Sequence, residues 1–113
     1  MTDALDLATR IEAATGNELE RLGWEAARVL LGVREHHVSA GIPMRLGGNP
    51  AGSLDACLRL KEAALPGVSG ETEIGARRNM ASVFPGADKF SGWHAEPAAA
   101  LLAAMLRAVE ASR

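Results

Sequence analysis

The stretch PAAALLAAMLRAVEASR, residues 97–113, constrains the fold more than any other part of the chain. Pro97 suits the first turn of a helix, where its missing N–H leaves no bond unmade. Ala98, Leu101, Leu102, Met105, Leu106 and Val109 then recur at helical spacing and build a wide apolar stripe. A stripe of that width has to be buried against other elements, so the remaining sequence is read for what can cover it.

Two shorter helices precede it. Residues 3–15 place Leu7, Ile11 and Ala14 on one face, with Thr2 or Asp3 as the cap and Gly16 as a left-handed stop. Asn17 opens a second helix, with Glu20 in the reciprocal position of a capping box and Gly32 at its end. Its apolar face is Leu19, Leu22, Ala26, Val29 and Leu30, and Trp24 lies off that face beside Arg28 and Leu31. The link between the two helices is short, which makes them neighbours. Residues 33–52, rich in glycine, read as an ordered loop with a short strand near 42–46. Ser53 caps a third helix, LDACLRLKEAAL, which Pro66-Gly67 closes.

In ETEIGARRNMASVF the residues alternate on either side of Arg77-Arg78-Asn79, which predicts a β-hairpin. PGADKFSGWH reads as a second loop. The result is one α+β domain over residues 1–113, with about four helices and one hairpin in the order ααα-ββ-α. A hairpin alone is marginal in water, so it needs helices beneath it and a further strand beside it, either from 42–46 or from a second copy of the chain.

At 113 residues the chain can bury roughly two thirds of its unfolded surface and needs no covalent staple. A net charge of −2 argues against non-specific nucleic-acid binding, which requires a basic field. Cys57 is the one cysteine, which excludes an internal disulfide and a thiolate metal cluster. Neither a membrane-spanning run nor a signal-peptide pattern occurs in the sequence, so a soluble protein of the bacterial cytoplasm is expected.

RIEAATG at residues 10–16, SLDACLRLKEAALPG at 53–67 and PAAALLAAMLRA at 97–108 together resemble small accessory proteins of tailed phages and prophages of proteobacteria. The chain departs from that pattern in lacking the aromatic residues of the middle strands, since it has no tyrosine and its two tryptophans are expected elsewhere. The resemblance implies a phage-encoded accessory product acting in the host. It implies no catalytic residue.

Several positions carry side chains capable of chemistry. Glu35, His36 and His37 are the obvious metal or acid–base candidates, with His94 as a distant third histidine. Adjacent histidines point apart on a helix and to opposite faces of a strand, so the pair is a weak metal signal. Cys57, in mid-helix on an apolar side, reads as a small buried hydrophobe. Arg45 opens a glycine-rich RLGGN run that lacks the lysine of a phosphate loop. Arg77 and Arg78 at the hairpin turn offer guanidinium forks to a phosphate or carboxylate. Trp93 and His94, ahead of the last helix, offer an aromatic face.

These features favour a non-catalytic binding protein, without cofactor, that counters host defence. It would either sequester a small nucleotide signal or cover a host immune protein, with Arg45, Arg77, Arg78, Trp93 and His94 as the contact set and a homo-oligomer as the expected assembly. Two other classes compete. One is a small metal-dependent hydrolase or nuclease using Glu35, His36, His37 and His94. The other is a structural accessory protein whose role is to oligomerise.

Overall fold

A computed structural model describes residues 3–32 and 46–111. Among these residues seven elements follow in chain order: α1 (Ala4–Ala13), α2 (Gly16–Leu31), α3 (Leu54–Ala64), β1 (Ser69–Glu73), β2 (Asn79–Phe84), β3 (Phe90–His94) and α4 (Pro97–Ala111). The class is α+β, with four helices and one antiparallel sheet of strand order β1-β2-β3 among the described residues. The expected hairpin is therefore two strands of three. The third strand comes from FSGWH, at the end of the stretch expected as the second loop, and it carries Trp93. The expected strand near 42–46 falls largely on residues outside those described.

Helix α4 is the centre of the molecule. Every residue from Ala98 to Leu106 is buried, including Ala99, Ala100, Ala103 and Ala104. A helix apolar on nearly all sides has to be surrounded. Here β2 and β3 cover one side, α1 another, and α2 and α3 complete the ring. The alanines let these neighbours approach closely, and the leucines fill the corners between them. Cys57 belongs to this core: it is fully buried, with its thiol 3.8 Å from the Met105 sulfur.

Local signals explain the helix starts unevenly. Asp3 accepts a bond from Leu5 N–H at 3.0 Å, and Ser53 accepts one from Ala56 N–H at 3.2 Å. The capping box expected at Asn17 does not form. Helix α2 begins two residues earlier than that box requires, at Gly16, and its cap residue Thr15 makes no side-chain bond. Gly32 ends α2 in the left-handed region at φ 71°, as its position suggested.

Alternation along the strands divides the sheet into two faces. Ala81, Val83, Gly92 and His94 point toward α4 and α1, and all four are buried. Glu71, Glu73, Met80, Ser82, Ser91 and Trp93 lie on the opposite face. Two hydroxyls meet across that face, Ser82 to Ser91 at 2.9 Å. Strand β1 is exposed at every residue, so its pairing with β2, not burial, holds it in place.

Candidate functional site

The register of the sheet decides which expected site residues can meet. Met80 pairs with Trp93, and Asn79 pairs with His94. Arg78, immediately before β2, reaches across so that its guanidinium carbon lies 5.9 Å from the centre of the Trp93 ring. That is cation–π range. Ile74, just beyond β1, completes the same end of the sheet and is 91% exposed. Together with Glu73, Gly75 and Met80, these residues line an open depression of about 620 Å³. Trp93 keeps 37% of its surface exposed there.

The strand beneath the indole is fixed by an ion pair. The backbone N–H of Trp93 donates to the Glu12 carboxylate at 3.0 Å. Arg107 grips the same carboxylate with two nitrogens, each at 2.6 Å, and also donates to the Ser91 carbonyl at 2.8 Å. Burial pushes the Glu12 carboxyl up. The Arg107 and Trp93 hydrogen bonds and the charges of Arg107 and Arg78 more than reverse this, and hold it below the ordinary carboxylate value. Arg107 is raised in turn, first by its hydrogen bond to Glu12. The strand that carries Trp93 is thus tied to α1 and α4 by a charge-assisted network. Neither Glu12 nor Arg107 stood out in the sequence as a site residue. The signal was there in Arg107, the one charged residue in the apolar run from Pro97 to Val109.

His94 points the other way. Its Nδ1 accepts from Glu96 N–H at 2.9 Å, and its Nε2 lies 2.7 Å from the Ala14 carbonyl, to which it donates. Both ring nitrogens are spent, which fixes the tautomer and leaves no lone pair for a metal. His94 therefore joins neither the Trp93 surface nor a histidine cluster, and latches the start of α4 to the end of α1. His94→Ala would leave Glu96 N–H and the Ala14 carbonyl unpaired. It is expected to lower stability by about 2–3 kcal/mol in urea unfolding.

The remaining candidates separate. Arg77 is exposed and does not line the depression. Arg45, Glu35, His36 and His37 lie outside the described residues. The glycine-rich run beyond Arg45 serves packing. Asn49 donates to the Glu20 carbonyl at 2.7 Å and accepts from Ala51 N–H at 2.9 Å, and Arg59 donates to the Leu46 carbonyl at 2.9 Å. Burial pushes the Cys57 thiol up to about 12, so it is protonated and unreactive at neutral pH. Among the described residues no three histidine, cysteine or acidic side chains are placed to hold a metal. Among them, too, no helix is long and apolar enough to cross a membrane. Comparison with family models, curated proteins and solved structures finds no significant match.

Proposed function

We propose that this chain is a non-catalytic binding protein, a phage or prophage accessory product of the kind its sequence resembles, that acts by covering part of a host defence protein. The observation that carries the reading is the grouping of Arg78, Trp93 and Ile74 on one open depression. Tryptophan and arginine are the side chains that most often dominate protein interfaces, and an aliphatic side chain as exposed as Ile74 is costly to leave in water. The depression is wide and shallow, a shape suited to another protein's surface. Capture of a nucleotide fits less well, because the guanidinium of Arg78 already lies over the ring on which a base would stack.

The test compares wild-type protein with Trp93→Ala and Arg78→Glu as baits in bacterial lysate. A captured protein is then purified, and its affinity for each bait is measured by calorimetry. Trp93→Ala is expected to weaken binding by about thirtyfold, the loss typical of an interface tryptophan. Native mass spectrometry of gently purified wild type supplies the opposing outcome. A retained mass of a few hundred daltons, lost in Arg78→Glu, would replace this reading with sequestration of a nucleotide-like ligand. Equal affinity of all three baits would remove the depression from the interface.

A further inference from the structure

The sheet has two edges, and the chain treats them differently. At the β3 edge two ladder groups are taken by side chains: Trp93 N–H bonds Glu12, and the Ser91 carbonyl takes Arg107. At the β1 edge no strand among the described residues is paired, and Ser69–Glu73 is exposed throughout. An unpaired edge offers a row of N–H and C=O groups to another chain.

The surroundings of that edge specify what such a chain would carry. On the inner side, Leu54, Leu58, Lys61 and Leu101 join Gly70 and Thr72 in lining a groove of about 180 Å³, with Glu71 at its rim. The Lys61 ammonium is spent on the Val68 carbonyl and the Glu62 carboxylate. Leu54 and Leu58 are 40% and 42% exposed, although both are large and apolar. They stand one turn apart on α3, about 6 Å, close to the spacing of about 7 Å between Gly70 and Thr72 on β1. On the outer side, Glu71 and Glu73 project from the same strand. Directly opposite residues of an antiparallel pair point to the same face. A strand laid beside β1 would therefore send every second side chain into the groove and the intervening ones against the two carboxylates. The chain's own β1 is a poor occupant: antiparallel self-pairing about its middle residue sets Glu71 against Glu71 of the other copy, and like charges opposite one another repel.

We propose that the β1 edge binds an extended peptide segment of a partner protein by strand addition. Apolar side chains of that segment seat in the Leu54–Leu58 groove, alternating with lysine or arginine set against Glu71 and Glu73. Backbone bonds supply the affinity, and the two faces supply the selectivity, as in other cases of strand addition. This surface does not depend on the Arg78–Trp93 reading, since neither of those residues lines the groove.

The probe is a seven-residue peptide, acetylated and amidated, in which lysine alternates with valine. A second peptide of the same composition has its lysines and valines in two blocks. In an amide NMR titration the alternating peptide is expected to shift the Ser69–Glu73 signals and slow their hydrogen exchange. Glu71→Lys and Leu58→Asp, each at an exposed position, are each expected to weaken it by about tenfold. Trp93→Ala should bind it like wild type, which separates failure of this inference from failure of the other reading. Equal binding of the block peptide would reduce the effect to charge alone and overturn the proposal. Unchanged affinity in Glu71→Lys would overturn it, as would β1 amides already protected without peptide in a chain that sediments as a dimer.

Discussion

A Gly92→Ala variant is expected to lose at least about 3 kcal/mol of folding stability, and Gly92→Val to fail to fold. At Gly92 the backbone of β3 packs directly against α4. A Cβ there would come 2.2 Å from the Ala100 carbonyl oxygen, 2.8 Å from the Ala103 Cβ and 2.9 Å from the Ala104 nitrogen. Two of these three are backbone atoms, so no rotamer change relieves the clash. Relief requires moving the strand off the helix that contributes more to the core than any other element. The indole of Trp93 would move with it. Gly86→Ala is the matched control, with nothing within 4 Å of the added carbon and an expected change within about 0.5 kcal/mol. Urea unfolding of the two variants measures the difference. A wild-type midpoint for Gly92→Ala would mean that β3 does not pack this closely on α4.

The same glycine shows why β3 was illegible in the sequence. A half-buried strand is recognised by apolar residues pointing inward. In FSGWH the inward positions are Phe90, Gly92 and His94, of which Phe90 alone is large and apolar, while Trp93 points out. The pattern is broken at Gly92 because the inward space there is already filled by α4, which leaves room for a glycine. Strand β1 hides differently: SGETE buries nothing and is ordered only by its ladder with β2. The alternation through Ile74 was real in the sequence but lay past the strand end, where Ile74 is exposed. By contrast α4, the Asp3 and Ser53 caps and the stop at Gly32 were legible, because each is a local signal whose meaning does not depend on distant residues. Of the candidate site, Arg78 and Trp93 could be named but not paired, since their meeting depends on the register of two strands. His94 was expected in the same contact set, and its place in the core depends likewise on distant residues. Its two partners, Ala14 and Glu96, are fixed by the packing of α1 against β3 and by the turn into α4.

Truncation of Glu12 to alanine is expected to cost about 2–3 kcal/mol, more than a surface ion pair is worth. The carboxylate is 18% exposed and its Arg107 partner 23%, so both charges have given up much of their water. Removing the carboxylate strands the guanidinium and frees Trp93 N–H at the edge of the sheet. Arg107→Ala should cost a similar amount, and the double variant less than the sum of the two, because the second loss removes the orphan left by the first. The pair also sets an acid limit. A carboxyl held below its ordinary value of 4.5 in the folded chain stabilises that chain fully above this value. The contribution is lost as pH falls below 4.5 toward the depressed folded value, where the folded carboxylate at last takes up a proton. Urea midpoints between about pH 7 and pH 3 should fall more steeply for wild type than for Glu12→Gln, which binds no such proton. Parallel pH curves for the two proteins would place the acid sensitivity elsewhere. In the same variant the backbone bond to Trp93 is weakened while Arg78 and the indole remain. Any loss of partner affinity beyond the loss of stability then measures how far the contact surface depends on the ion pair beneath it.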